Sequence, residues 1–199
     1  FNRGNTLAAM GRHEDALTAY ERAIRLCPGD AETLTARGGV LVDLRRYSEA
    51  LSMFDYALAS DAGFARAHRG RAEALFGLKR WDESYLAYDR AYRADPDMPE
   101  LEGSRYLARC YACDWQGLSA DEERLLLHAR EGKRAANPFV LLATNASPAL
   151  QFESARRYTK ARFPARSFVR PSSPPPSSKI RIAYMSGELR AHAVGYATA

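Results

Sequence analysis

Small and aromatic side chains recur along the first half of the chain in a fixed pattern. In each stretch predicted to be a second helix, alanine and aromatic residues are separated by four and then three positions, which places them on one helical face. The same residue types return at one constant interval in four sets: His13, Tyr47, Trp81 and Trp115; Ala16, Ala50 and Ser84; Tyr20, Phe54 and Tyr88; Ala23, Ala57 and Ala91. The pattern predicts repeated helix pairs that bury these faces.

A period of about 34 residues with these markers is typical of tetratricopeptide repeats. Each such repeat is a helix–turn–helix unit that cannot bury its apolar face alone and therefore stacks on its neighbours. Pro28 and Gly29 end the first repeat, because proline cannot continue a helix, and Pro96 stands at the same point two repeats later. We therefore predict an α-solenoid of three clear repeats over residues 1–98.

A degenerate capping repeat and further helices are predicted over residues 99–170. Residues 101–113 and 120–131 have helical patterns, with a turn at Asp114 and Trp115 between them. The proline marker is lost, as expected for a terminal repeat. Residues 137–143 are apolar and predicted to be helical. Ser147 followed by Pro148 predicts an N-cap and a helix that ends near residue 163.

A run of proline and serine at residues 171–178 predicts an extended linker without a packed core. After it, residues 179–186 alternate branched or aromatic residues with polar or small ones, which indicates a β-strand. A loop and the start of a helix follow. We therefore expect residues 179–199 to open an α/β domain, so that the fold class is mostly α with a short α/β segment at the end.

Composition and charge narrow the possible partners. The chain is 46% hydrophobic and 27% charged, and it contains no run of about 20 apolar residues that would span a membrane. The net charge is +5, and the basic excess collects in residues 156–170. A nucleic-acid surface is one interpretation, but few stacking aromatic residues accompany the arginines. We prefer a solvated arginine-rich helix face and expect neither nucleic acid nor a membrane as a partner.

Cys110 and Cys113 have the C-x-x-C spacing of some redox and zinc sites. The sequence offers no second cysteine or histidine pair to complete four zinc ligands. Both cysteines also fall in a predicted repeat helix, whereas a thioredoxin-like motif follows a strand. We therefore expect buried thiols, with no metal and no cofactor. Three cysteines without a disulfide framework fit the reducing cytoplasm, which we predict as the location.

Several separate sequence blocks resemble one enzyme family. The blocks are residues 113–115 (CDW), 137–143 (NPFVLLA), 147–151 (SPALQ) and 180–192 (IRIAYMSGELRAH). Together with the repeats, they resemble bacterial members of the O-linked N-acetylglucosamine transferase/SPINDLY family over nearly the whole chain. In the last block, Glu188 and Leu189 stand where that family more often has aspartate and phenylalanine. The chain begins inside a repeat, so we expect an N-terminal fragment of a longer protein.

The resemblance implies a catalytic region of two Rossmann-like lobes that begins at residues 179–199. It implies transfer of N-acetylglucosamine from UDP-N-acetylglucosamine to serine or threonine hydroxyls of proteins. His192 occupies the position of a family histidine proposed as the general base, and an imidazole titrates near neutral pH. The UDP-binding residues would follow Ala199, so this fragment alone is expected to be inactive. Two alternatives remain: another UDP-sugar donor, or a non-catalytic scaffold that binds peptide partners.

The first helices of stacked repeats line a groove suited to an extended peptide. In the resembling family, asparagines along this groove grip the acceptor backbone, and here Asn2 and Asn5 fit that role. Their equivalents in the next repeats are not asparagine, so the series is broken. Arg66 and Arg69 are candidates for binding an acidic peptide, and the alternative is a solvated basic stripe.

Overall fold

The computed structural model describes residues 1–163, which are helical apart from the connecting turns and loops. The helices are α1 (Asn2–Ala9), α2 (His13–Leu26), α3 (Ala31–Asp43), α4 (Tyr47–Ser60), α5 (Ala65–Gly77), α6 (Trp81–Ala94), α7 (Leu101–Tyr111), α8 (Leu118–Arg130), α9 (Pro138–Leu141) and α10 (Pro148–Arg162). Helices α1 to α6 pack as three consecutive pairs, and each pair stacks on the next. The predicted solenoid of three helix pairs is confirmed.

One residue in the turn within each helix pair has a positive φ angle. These residues are one repeat apart and have φ between 54° and 74°: Gly11, Arg45, Lys79 and Cys113. In the first turn, the next backbone N–H, of Arg12, donates to the carbonyl of Leu7 over 2.9 Å. This is a Schellman-type helix end, which stops the first helix and reverses the chain. It sets the antiparallel packing of every pair.

The aromatic markers of the second helices fill the space between successive first helices. Tyr20, Phe54 and Tyr88 are all buried. Gly38 of α3 and Gly70 of α5 both lie against the ring of Phe54, where neither position has room for a side chain. The markers Ala16, Ala50, Ala57 and Ala91 are fully buried as well, so the helices approach closely. The expectation that these markers form the core is confirmed.

Each second helix of the three clear repeats begins with the same ion pair. An arginine precedes the helix, and its Nε donates to a carboxylate three residues later over 2.6 to 2.8 Å: Arg12 to Asp15, Arg46 to Glu49 and Arg80 to Glu83. The carboxylate also lies in the first turn, where the helix dipole favours negative charge. These pairs are exposed, so they define the helix start more than they stabilise it.

The fourth helix pair departs from the repeat. Trp81 is the first residue of α6 and packs its ring 4.7 Å from that of Phe76 and 4.9 Å from that of Tyr111. Trp115 stands one repeat later but precedes α8, which begins at Leu118, and the tryptophan is 65% exposed. Trp115 therefore keeps the sequence spacing without the packing role. Helix α7 ends at Tyr111 and α8 begins at Leu118, each two residues earlier than predicted.

Two short segments complete the described part of the chain. Asn137 caps α9, which ends at Leu141 and is shorter than the predicted helix over residues 137–143. Ser147 caps α10, and its hydroxyl accepts a hydrogen bond from the backbone N–H of Leu150 over 3.3 Å. This confirms the predicted start of α10. The helix ends at Arg162, close to the predicted position.

The linker at residues 171–178, the predicted strand, the Rossmann-like lobe over residues 179–199 and His192 lie outside the described residues. Within residues 1–163 there is no β-strand, so the solenoid fold is the part of the predicted fold class that stands. No helix among the described residues is long and apolar enough to cross a membrane.

Candidate functional site

The first helices of the second and third repeats form one continuous surface. Helix α3 packs directly against α5, and positions one repeat apart on these helices share one face. We define the inner face as the surface of α1, α3 and α5 that carries Asn2, Asn5, Gly39, Arg66, Arg69 and Glu73. Stacked repeats of this kind curve, and their inner surfaces bind extended ligands.

Asn5 is the best-positioned polar residue of the inner face. Its side chain is exposed, and its Oδ1 accepts a hydrogen bond from the hydroxyl of Tyr20 over 2.6 Å. Burial raises the pKa of Tyr20, so the phenol stays protonated and keeps donating. This bond fixes the orientation of the exposed amide. Asn2, one turn earlier, is exposed as well.

Gly39 occupies the next position of the same series, one repeat after Asn5. A Cβ atom added there would meet nothing within 4 Å. Its neighbour Gly38 faces the core instead. The inner face therefore has an open site at its centre where the helix backbone is approachable from outside.

The two candidate arginines are already paired with carboxylates. Arg66 donates to Glu32 of the preceding first helix over 2.9 Å, and both side chains are about half exposed. Arg69 donates to Glu73 over 2.9 Å and also to the backbone carbonyl of Pro99 over 3.4 Å. The structure thus places both arginines beside carboxylates that offset their charge. An anionic ligand would have to displace those carboxylates.

Glu73 ends the series that begins at Asn5 and Gly39. Burial and then the Glu73 charge raise the pKa of Tyr88, the buried aromatic marker of the third repeat, so its hydroxyl remains protonated. At this position of the inner face, the three repeats therefore carry an amide at Asn5, an open backbone at Gly39 and a carboxylate at Glu73. Such a surface offers hydrogen bonds and mixed charge rather than one strong charge.

The tetratricopeptide repeat family matches residues 1–30 and residues 35–99. Together with the three stacked helix pairs, this match identifies these residues as tetratricopeptide repeats. No curated protein sequence matches it.

Solved structures show the same repeat fold. A thermophilic tetratricopeptide-repeat protein of Thermus thermophilus aligns with a TM-score of 0.59 at 21% identity, over 80% of this chain and 87% of that one. The first such domain of Spaghetti (RPAP3), bound to the HSP90 peptide SRMEEVD, aligns with a TM-score of 0.55 at 20% identity, over 57% and 90%. The second domain of human RPAP3, in complex with the HSP70 peptide SGPTIEEVD, aligns with a TM-score of 0.52 at 20% identity, over 54% and 90%.

The two cysteines of the C-x-x-C motif are separated by the end of a helix. Cys110 lies in α7, and burial raises the pKa of its thiol, which lowers its reactivity. Cys113 lies in the turn with φ of 54° and is exposed, contrary to the expectation that both are buried in a helix. Among residues 1–163, no group of three or more side chains is arranged to hold a metal ion.

A second set of residues that follows the repeat period, made of arginine–aspartate ion pairs, was not predicted from the sequence. Arg71 donates to Asp55 over 2.7 Å, and Arg105 donates to Asp89 over 2.9 Å, each across 16 residues between a second helix and the following first helix. The two pairs are one repeat apart, so the period itself was the available signal. Arg37 holds the matching position in the second repeat, yet its Nη1 contacts Met53 Sδ at 3.5 Å and its Nε is buried without a partner among the described residues.

An apolar surface patch lies between α9 and α10. Phe139, Leu142 and Phe152 are each more than 60% exposed, and they border a cavity of about 370 Å³. The sequence predicted apolar helices here but not their exposure. The helices α9 and α10 therefore present neighbouring apolar side chains outward.

Proposed function

We propose that the repeats bind an extended segment of a partner protein along the inner face. The observation that carries this proposal is the open site at Gly39, flanked by the exposed amide of Asn5 and the carboxylate of Glu73. A peptide backbone has both N–H donors and carbonyl acceptors, and the amide of Asn5 and the carboxylate of Glu73 offer partners for them. Gly39 leaves room for the peptide between the two. The two RPAP3 domains, which share this fold, bind peptides, and this supports the same kind of ligand here.

The pairing of Arg66 with Glu32 and of Arg69 with Glu73 bears on the choice of peptide. A ligand with several carboxylates would gain the arginines only by displacing existing partners, and it would face Glu73 at close range. We therefore propose a peptide of mixed or neutral sequence, held mainly through its backbone. Binding of an acidic peptide by Arg66 and Arg69 is a proposal of lower rank.

Selection of random peptides displayed for binding to the protein, followed by calorimetry, tests this proposal. Asn5→Ala is expected to weaken a selected peptide about tenfold, because a hydrogen bond at this site contributes about 1 to 1.5 kcal/mol. Asn145→Ala is the matched control, since Asn145 is an exposed asparagine beyond the three repeats. Equal affinity of the selected peptide for the Asn5 and Asn145 variants would remove Asn5 from the site.

A second proposal is that the chain is the acceptor-binding and linking part of a cytoplasmic protein O-glycosyltransferase. Its support is the sequence block at residues 180–192, with His192 as the general base and UDP-N-acetylglucosamine as the donor. The inner face would then hold the protein acceptor. A related proposal keeps the same fold with a different UDP-sugar.

Labelled UDP-N-acetylglucosamine added to the full-length protein and a cell lysate tests the transferase proposal. Sugar on serine or threonine is expected for the full-length protein, and His192→Ala is expected to reduce it sharply. The 199-residue chain is expected to be inactive. Absence of labelled protein with any UDP-sugar would leave the peptide-binding proposal standing and end this one.

A further inference from the structure

A cleft opens on the face of the repeats opposite to the inner face. Helices α4 and α6 form its walls, and α5 forms its floor. The outer cleft, as we name it, has a volume of about 750 Å³ and is lined by Asp55, Leu58, His68, Arg71, Arg90 and Arg93, among others. Clefts of this size hold small organic ligands.

His68 is a polar residue in an apolar position at the floor of the outer cleft. It is 9% exposed, and the equivalent residue one repeat earlier is the buried Leu34. Its Nε2 lies 2.9 Å from the backbone carbonyl oxygen of Ala62. A carbonyl only accepts hydrogen bonds, so Nε2 carries the proton and donates. The other ring nitrogen, Nδ1, is buried without a partner among the described residues.

A buried nitrogen without a partner is unfavourable, so a leucine would stabilise the fold more at this position. Glu102, one repeat further along, shows the contrast. It is equally buried, but its two carboxylate oxygens accept from Arg124 Nε over 2.9 Å and contact His128 Nδ1 over 2.8 Å. The polar side chain at this repeat position therefore has all its partners at Glu102, whereas at His68 the nitrogen Nδ1 has none among the described residues.

Three guanidinium groups surround the outer cleft. Arg71 is paired with Asp55 over 2.7 Å, and Arg93 is paired with Asp89 over 2.8 Å while its side chain remains 79% exposed. Arg90 makes no ion pair and no hydrogen bond with any residue in the described part of the chain. Two of the three cations are thus paired, with Asp55 and Asp89, and Arg90 supplies the charge that no carboxylate of the described residues offsets.

The preceding repeat lacks this arrangement. The residues one repeat before His68, Arg90 and Arg93 are Leu34, Tyr56 and Ala59. Packing of the repeats therefore requires neither the imidazole nor the two α6 arginines at these positions. The preceding repeat therefore lacks this concentration of nitrogen donors.

We propose that the outer cleft binds an organic phosphate monoester. Guanidinium groups bind phosphate oxygens through paired hydrogen bonds, and a phosphate monoester carries close to two negative charges at neutral pH. Arg90 and Arg93 hold the phosphate at the rim. The organic part lies against Leu58 and the neighbouring alanines. A polar group on it reaches Nδ1 of His68 once the surrounding side chains move apart, because that nitrogen is buried in the unbound protein. This site lies on the opposite face from the peptide-binding site and does not depend on it.

Calorimetry with phenyl phosphate, in phosphate-free buffer at low salt, tests the proposal. Arg90→Gln is expected to weaken binding at least tenfold, and His68→Leu is expected to weaken it several-fold while the protein still folds, because Leu34 fills the same position. Arg156→Gln on α10 is the control and is expected to bind as the unchanged protein does. Thermal melts of each variant verify the fold.

Two further probes distinguish the source of the phosphate. Adenosine monophosphate represents a free nucleotide, and a phosphotyrosine peptide represents a modified partner protein. Tighter binding of either one than of phenyl phosphate, lost in Arg90→Gln, supports the site and identifies its ligand class. The proposal is overturned if none of the three probes binds, or if Arg90→Gln and Arg156→Gln bind phenyl phosphate equally.

Discussion

Gly38 lies directly against the ring of Phe54, so that a Cβ atom added to Gly38 would stand 2.7 Å from two ring carbons. The next residue, Gly39, faces open space. Two adjacent glycines of one helix thus have opposite reasons to lack a side chain. Gly38 allows the helices to pack, whereas Gly39 leaves the inner face open.

Alanine substitution separates these two roles. Gly38→Ala is expected to lower the free energy of unfolding by about 1 to 3 kcal/mol, because the added methyl group overpacks the core. Gly39→Ala is expected to raise it by about 0.5 to 1 kcal/mol, because alanine favours the helix and nothing obstructs it. Urea unfolding of both variants checks the opposite signs. Destabilisation of equal size in both would contradict the packing described.

The hydrogen bond between Tyr20 and Asn5 gives a second prediction. Tyr20→Phe removes the hydroxyl but keeps the ring, so the unfolding free energy is expected to fall by about 1 kcal/mol. Tyr56→Phe serves as the control, because the Tyr56 side chain is mostly exposed. Thermal melts should show a lower midpoint for the Tyr20 variant alone.

Asp121 stabilises the junction between α7 and α8. It is buried, and its carboxylate accepts from Arg105 Nη1 over 3.0 Å and from Arg109 Nη1 over 2.6 Å. Burial alone would raise the pKa of Asp121, but the hydrogen bond from Arg109 and the charge of Arg105 outweigh it and hold the pKa below its usual value.

A depressed pKa gives a stabilisation that is present above the unfolded pKa of about 3.9 and is lost as the pH falls through the folded pKa. Asp121→Asn is expected to cost about 3 kcal/mol at pH 7. The difference from the unchanged protein should shrink below about pH 4. Denaturant unfolding across this pH range checks it, with the exposed Asp97→Asn as control. A pH-independent difference would show that the Asp121 charge is not responsible.

Helix α10 should open more readily than the repeats. It buries none of its residues fully, so its stability depends on local interactions such as the Ser147 cap. Ser147→Ala is expected to cost about 1 kcal/mol and to speed amide exchange in α10 about fivefold. Ser119→Ala, at a position in α8, should leave α10 exchange unchanged. Unchanged α10 exchange in the Ser147 variant would contradict the cap.

The three clear repeats were predictable because their period fixes both helices and core. Tyr20, Phe54 and Tyr88 are buried where the period places them. The fourth pair was less predictable, since Trp115 matches the spacing while α8 begins only at Leu118. The spacing of Trp115 identifies it as a repeat position, but it does not show whether the residues that would pack against it are present.

The candidate site was predictable only in outline. Asn5 is exposed on α1, but the carboxylates that pair with Arg66 and Arg69 were not foreseen, since they depend on side-chain geometry. The buried imidazole of His68 likewise gave no signal, because a helical position does not reveal which ring nitrogen lacks a partner. The spacing of residues in the sequence predicts which face of a helix they share. Their ion-pair and hydrogen-bond partners depend on interatomic distances, which only the structure gives.

The affinity of a display-selected peptide for Gly39→Trp tests the central claim most directly. The indole would fill the open site of the inner face without touching the core, so Gly39→Ala is the matched control for the backbone effect. The account predicts that the peptide binds Gly39→Ala as tightly as the unchanged protein and that Gly39→Trp loses at least tenfold in affinity while its thermal midpoint is retained. Undiminished peptide binding by a folded Gly39→Trp variant would show that the inner face is not the peptide site.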